Sequence, residues 1–391
     1  MRRTNDIGWE ASQDLSQLKF RSGDTKVEDP AYLTKQLITY IGNKRTLLNH
    51  IGTAISIVKK RLAKDRLRIL DAFSGSGVVS RYFKQHAEYL AVNDFENYAT
   101  VASQCYLANR NDVDLVHLGA IVAQLNNEVD FTDFPSGFIE ELYAPKNEAR
   151  ITKDDRVFYT RANACRLDNY RRLLDQLRVH DRNILLGPLL SEASVHANTS
   201  GVFKGFYKDR ATKIGRFGGT NGDALKRIKG EIELAVPVLS RFECDVEVFQ
   251  EDANQLIHHL HDLDLVYLDP PYNQHPYGSN YFMLNLLVDY DRPLQISKVS
   301  GIPTDWRRSD YNVRSRSLSA LTDLVHNIDA KLILISFNDE GFIHPNAMAA
   351  MLRNVGKLNV IELPYNTFRG SRNLRQRTIH VTEHLFLVER N

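Results

Sequence analysis

The stretch Arg68–Asp94, RILDAFSGSGVVSRYFKQHAEYLAVND, decides the fold. Its first residues, Arg68-Ile69-Leu70, form a short apolar run that ends on Asp71. A turn of small residues follows, with Gly75 and Gly77 in it, and then a helical pattern from Val78. A second apolar run, Tyr89 to Asn93, again ends on an acid, Asp94, and the helical segment ENYATVASQCYLA comes next. Strand, glycine turn, helix, strand, helix is the opening of a parallel sheet with helices on its faces. The expected class is α/β.

Working outward, residues 1–36 are polar and unpatterned, and they read as a flexible N-terminal arm. The first part of the α/β domain spans 37–110 and includes a helix with apolar Leu47, Leu48, Ile51, Ile55 and Val58 on one face. From 111 to 240 helical segments such as RLDNYRRLLDQLRVH alternate with a Gly-, Lys- and aromatic-rich stretch, so this part reads as a mostly helical insert. Strands return in 241–391, in CDVEVFQED, LDLVYLDPP, KLILISFND and TEHLFLVER. The α/β domain is therefore interrupted and resumed.

A chain of 391 residues can hold a full enzyme core, at roughly 150 residues per domain. No apolar run approaches the ~20 residues of a membrane span. Cys105, Cys165 and Cys244 are scattered and odd in number, which suits a reducing compartment and gives no zinc spacing. The histidines likewise form no metal constellation. A cytoplasmic protein without a membrane partner and without a metal is expected. Net charge is only +2, but Gly201–Gly230 carries eight lysines and arginines against Asp209 and Asp223. Arg369, Arg372, Arg375 and Arg377 form a second basic cluster.

The glycine turn lies beside a helix N-terminus, where backbone N–H groups are free and the chain can approach a ligand closely. It lacks the GxGxxG spacing, and no lysine follows Gly77, so a phosphate cradle is poorly supported. An acid at Asp71 would repel phosphate and suit a cationic ligand such as S-adenosylmethionine. Asp94 stands where doubly wound folds set a carboxylate on ribose hydroxyls. The competing reading is a turn with no ligand.

The second chemical motif is Asp269-Pro270-Pro271-Tyr272, at the end of the run Leu265–Leu268. Two prolines stop a strand and stiffen a loop, and that alone could explain them. They also suit one chemical task. The exocyclic amine of a nucleobase is a weak nucleophile because its lone pair is delocalised. The Asp269 carboxylate and the Pro270 carbonyl could accept its two hydrogens and localise that pair. Tyr272 could stack on a base rotated out of the duplex. None of the three cysteines sits in a nucleophile-like loop, which argues against carbon-directed cytosine methylation, since that chemistry needs a thiolate.

TYIGNK (Thr39–Lys44), LDAFSGSG, VND, LDPPY, SFNDEG (Ser336–Gly341) and EHLFLVER, in this order, resemble the amino-directed DNA adenine methyltransferases of the Dam and FokI type, enzymes of restriction-modification or phage and host systems. The resemblance covers about 37–110 and 242–391. It implies a Rossmann-like sheet that binds S-adenosylmethionine, with a DNA target-recognition domain inserted. Tyr40, Lys44, Asp71, Phe73, Gly75 and Gly77 would then line the cofactor pocket, Asp94 would bind the ribose, and Asp252 would hold the cofactor's adenine amine. Asp269, Pro270, Pro271 and Tyr272 would hold the target adenine, with Asp269 also near the cofactor. The sequence departs from the Dam form in its first motif, where Ile41 and Asn43 replace an alanine and a glycine.

Double-stranded DNA is the implied partner, and a cognate restriction endonuclease a further one. In the insert, Lys204, Lys208, Arg210, Lys213 and Arg216 are interleaved with Phe203, Phe206, Tyr207 and Phe217, as in a loop that lies on a duplex. Arg369 and Arg372 are further candidates for DNA contact. A solvated charged loop is the alternative. Two other functions stay open on the residues alone: an amine methyltransferase acting on cytosine or RNA, and a DNA-binding module that has lost catalysis. Intact Asp269 and Tyr272 oppose the second.

Overall fold

The computed structural model describes residues 27–219, 222–366 and 380–390. Seven strands form one sheet: β1 (Leu67–Asp71), β2 (Ala87–Asn93), β3 (Asp245–Phe249), β4 (Leu263–Leu268), β5 (Ala330–Asn338), β6 (Gly356–Asn366) and β7 (His380–Arg390). Their order is β3-β2-β1-β4-β5-β7-β6. The first five run parallel, and β7 is antiparallel to both β5 and β6. The α/β class holds, and the sheet fits a Rossmann-like methyltransferase.

Burial follows position in the sheet. Every residue of β4, which lies between β1 and β5, is buried, and all but Asp264, paired with Lys64, form the apolar run that a strand covered on both faces needs. β3 closes one edge and alternates exposed acids with half-covered residues. The other edge, β6, has no counterpart among the expected strands. It carries Pro364, which an edge strand tolerates because it need not donate on its outer side. Its Lys, Asn and Glu residues hide the strand pattern in the sequence.

Two apolar clusters cover the two faces of the sheet. A third joins Leu118, Leu167 and Leu185, from the region 111–240, to Tyr98 and Val101 and to Phe282 and Leu286. That region contributes the helices Leu115–Glu128, Phe138–Tyr143, Arg161–Asp175, Val179–Val195 and Leu225–Lys229. It is mostly helical, and its core is continuous with the helices Asn97–Tyr106 and Phe282–Asp289. Gly187 marks the close approach: a Cβ there would meet Cys105 Sγ at 2.5 Å. Residues 27–36 pack onto the same body. Asp29 caps the helix Pro30–Thr34, and buried Tyr32 donates its hydroxyl to the Tyr106 carbonyl at 2.8 Å. The rest of the expected arm, 1–26, lies outside the described residues.

Candidate active site

The strand order turns back between β1 and β4. β2 and β3 lie to one side, β4 and β5 to the other, and the loops leaving β1 and β4 diverge. In open α/β sheets a crevice forms there, at the carboxyl ends of the strands. Asp71 is opposite Tyr267 in the register, so the two loops that carry chemistry start side by side. A cavity of about 880 Å³, counting its open mouth, occupies this position. Tyr40, Lys44, Asp71, Phe73, Gly75, Asp94, Asp252, Asp269 and Pro271 all line it. Residues far apart in sequence are thus brought to one wall.

The glycine turn is built by its neighbours. Gly75 has φ +52° and Gly77 φ +71°, the region that only glycine enters freely. The Gly75 N–H donates to Asp94 Oδ2 at 2.7 Å, and the Glu96 N–H donates to Asp94 Oδ1 at 2.9 Å. Asp94 therefore holds the turn as well as facing the cavity. Burial pushes its carboxyl up to about 6, against the pull of these backbone bonds. Gly77 does not line the cavity; it caps the helix Val78–Lys84 from a left-handed conformation.

Asp71 accepts from Ser80 Oγ at 2.5 Å through Oδ2, while buried Oδ1 has no well-formed hydrogen bond among the described residues. Burial drives its carboxyl up to about 7, with Ser80 opposing. Asp252 lines the cavity and caps the helix Ala253–Leu256 by accepting from the Asn254 N–H at 2.8 Å. Tyr40 packs nearly parallel to Tyr277 and Tyr281, with ring centroids 5.1 and 4.7 Å away, and those two rings also stack on each other at 6.1 Å. A Cβ on Gly75 would meet the Tyr40 ring at 2.9 Å, so the bare glycine is required for this wall.

At the other loop, Lys44 Nζ lies 3.1 Å from Asp269 Oδ1. Burial raises the Asp269 carboxyl to about 6, with Lys44 working against the rise. Tyr272 is half-buried, its ring edge-on to Phe337 at 6.0 Å and 5.8 Å from Lys44 Nζ. Neither Tyr272 nor Pro270 lines the cavity itself; Pro270 lies between the lining residues Asp269 and Pro271, and Tyr272 follows them on the same loop.

Two acids escaped the sequence reading. Glu383, buried in β7, lies 3.2 Å from Lys44 Nζ. Glu96 lines the cavity and accepts from Asn285 Nδ2 at 2.7 Å, and burial lifts its carboxyl to about 7. The available signal for Glu383 was an acid within the apolar run that ends the chain. Glu96 had a weaker one, its place two residues after a strand-end acid.

The basic stretch of the insert runs beside the loop after β4. Lys204 Nζ lies 3.2 Å from His275 Nδ1, and the Phe203 N–H donates to the Asn280 carbonyl at 2.7 Å. Lys208 sits over the Phe206 ring at 4.8 Å. Arg216 donates to the Gly219 carbonyl at 3.1 Å, and Arg210 and Lys213 are exposed. Phe203 and Phe206, expected to lie on a duplex, are instead buried in the shared apolar cluster, because aromatic rings so near Phe158 and Phe282 gain more from packing than from solvent. Arg369, Arg372, Arg375 and Arg377 lie outside the described residues. No group of three or more His, Cys, Asp or Glu side chains could hold a metal among the described residues, and none of the described helices is long and apolar enough to cross a membrane.

The type II methyltransferase M.NlaIII of Neisseria lactamica is 28% identical over 364 residues, covering 90% of this chain and 99% of that protein. The modification methylase StsI of Streptococcus sanguinis is 27% identical, and the type II methyltransferase M.FokI of Planomicrobium okeanokoites 24%; each match covers 90% of this chain and 52% of the longer relative. The family model for D12 class N6 adenine-specific DNA methyltransferases matches residues 40–351, a span that begins at Tyr40 and contains both chemical loops. The chain belongs to the D12 class N6 adenine-specific DNA methyltransferases.

Proposed function

We propose that this protein methylates the 6-amino group of one adenine within a specific duplex DNA site, with Asp269, Pro270, Pro271 and Tyr272 holding the target base. The observation that carries the proposal is the meeting of the two strand-end loops: Asp269 and Pro271 line the same cavity as Asp71, Gly75 and Asp94. A cofactor and an extruded base can therefore meet there.

The donor set suits S-adenosylmethionine. Asp71 Oδ1 has no well-formed donor among the described residues, and the bare Gly75 leaves room against Tyr40. Asp71, Asp94 and Asp252 would hold the cofactor's polar groups, and Tyr40 and Phe73 its apolar faces. When bound, the cofactor supplies an electrophilic methyl group on a sulfonium. The chain's own work is to orient and polarise the amine. Asp269 Oδ2 accepts one amine hydrogen and the Pro270 carbonyl the other, which localises the nitrogen lone pair. Two prolines hold those acceptors before substrate arrives, so little reorganisation is needed. Tyr272 offers its face to the base, which leaves the duplex at a cost of a few kcal/mol.

Recognition belongs to the insert in this reading. Exposed Arg210 and Lys213 would meet phosphates, and Lys204, adjacent to His275 of the catalytic loop, would lie near the extruded nucleotide. The type II names of the relatives support a cognate endonuclease acting on the same site. The test is transfer of a labelled methyl group to duplex DNA, followed by nucleoside digestion. N6-methyladenine is expected from the wild type, with loss on the order of 10²-fold or more in folded Asp269→Ala at saturating cofactor. Near wild-type turnover in Asp269→Ala would overturn the assignment of Asp269.

A further inference from the structure

Three ionisable side chains from distant parts of the chain meet at one side of the cavity. Lys44 follows Tyr40 in the entry loop, Asp269 ends β4, and Glu383 lies in β7. Lys44 Nζ is 3.1 Å from Asp269 Oδ1 and 3.2 Å from Glu383 Oε1. Ser336 Oγ, from β5, donates to the same Glu383 oxygen at 2.7 Å. Lys44, Ser336 and Glu383 are all buried. One ammonium is divided between two carboxylates, and the cluster keeps one negative charge in surplus.

That division matters for the chemistry of an acceptor. A carboxylate paired exclusively with an ammonium has a lowered pKa and holds a new hydrogen more weakly. A second carboxylate on the same ammonium restores basicity, while the cation still fixes the first carboxylate in place. β7 pairs antiparallel with β5, which separates it from β4, and Glu383 lies opposite Asn338 at the carboxyl end of β5.

We propose that Glu383 is a positioning residue for methyl transfer: by sharing Lys44 it sets the basicity of Asp269, while Lys44 holds the Asp269 carboxylate towards the amine. The inference rests on the reading of Asp269 as the acceptor of an amine hydrogen. The other groups that face Asp269 are Asp71 from β1, Tyr267 at the end of β4, and Tyr272 and Tyr277 from the loop and helix that follow. The tyrosines are pushed above their ordinary value by burial and stay neutral. Asp71, lifted by burial to about 7, is largely uncharged near pH 6. Lys44 and Glu383 are left as the charges that decide. Burial raises the Asp269 carboxyl to about 6, Lys44 lowers it, and Glu383 raises it.

Asp269 must be ionised to accept, so turnover falls as pH drops through about 6. In Glu383→Gln, Lys44 pairs with Asp269 alone. The acid limb of the turnover profile should then move down by about 1–2 pH units. Plateau turnover should fall about three- to tenfold, the expected loss for a weaker base. Glu383→Asp, which keeps the charge, should hold the limb near its wild-type position. Carbon-13 titration of the carboxyl groups in the unliganded wild type supplies a readout without turnover, and it stands even if Glu383→Gln does not fold. It should find Asp269 titrating above the ordinary carboxylate range. An unmoved limb in folded Glu383→Gln, or an Asp269 titration within the ordinary carboxylate range, overturns the proposal. Those results leave Asp269 as acceptor intact, whereas an active Asp269→Ala removes that reading itself.

Discussion

The Gly75 N–H donates to Asp94 Oδ2 at 2.7 Å, so the turn that leaves β1 is tied to the acid that ends β2. Asp94 reads from sequence as a ribose ligand, but both of its oxygens already serve backbone donors. Asp94→Ala should leave two buried N–H groups without acceptors, at about 1–3 kcal/mol each. A lower melting temperature together with weaker cofactor binding is the expected result. Calorimetry and thermal unfolding measure both, and a loss of affinity with unchanged stability would reject the structural half of this role.

Gly75→Ala tests the same turn from the other side. The residue has φ +52°, and its new Cβ would meet the Tyr40 ring at 2.9 Å. The left-handed backbone alone costs about 1–2 kcal/mol for an L residue. Tyr40 packs against Tyr277 and Tyr281 and is hydrogen-bonded to the Tyr98 hydroxyl, contacts that resist its retreat. Cofactor affinity should fall by about tenfold or more, and the unliganded protein should melt earlier. Wild-type affinity would mean that the ligand does not lie against this turn.

The buried carboxylates impose a pH dependence on stability. Asp71 and Glu96 are raised to about 7 and Asp94 to about 6, in each case by burial first. Their unfolded values are those of ordinary carboxylates, near 4. Between about pH 4 and 7 the folded state therefore binds more protons than the unfolded state, and its stability falls as pH rises. The unliganded protein should melt higher at pH 5.5 than at pH 8. Asp71→Asn, which is always neutral, should narrow that difference in a pH series of melting curves. A melting temperature that rises from pH 5.5 to 8 would contradict the sign.

The insert should divide into two groups of residues. Arg210→Ala and Lys213→Ala remove exposed cations, and each should reduce the salt slope of DNA binding by about one unit with the fold unchanged. Phe206→Ala should act through the core, at about 3–5 kcal/mol, because its ring is buried against Phe158. Fluorescence anisotropy over a range of salt, alongside chemical denaturation, separates the two effects. DNA binding that is indifferent to both Arg210 and Lys213 would move recognition to another surface.

The sequence by itself determined the class of fold and the identity of the two chemical loops. Apolar runs that end on Asp71, Asp94 and Asp269 are local patterns, and parallel strands end their core-facing runs at the edge where ligands bind. Glycine and proline impose backbone conformation through their own covalent structure, so Gly75, Gly77, Pro270 and Pro271 were legible one residue at a time. Only the tertiary structure decided what those residues touch. The division of Lys44 between Asp269 and Glu383 needs contacts across 225 and 339 positions of chain, which no spacing rule encodes. The burial of Phe203 and Phe206 depended on the helices of 111–240 sharing a core with Phe282. Edge strand β6 was hidden because its pairing comes from β7 rather than from its own polar-rich pattern. Local backbone chemistry is written in neighbouring residues; electrostatic partnership and packing arise only where distant segments exclude water together.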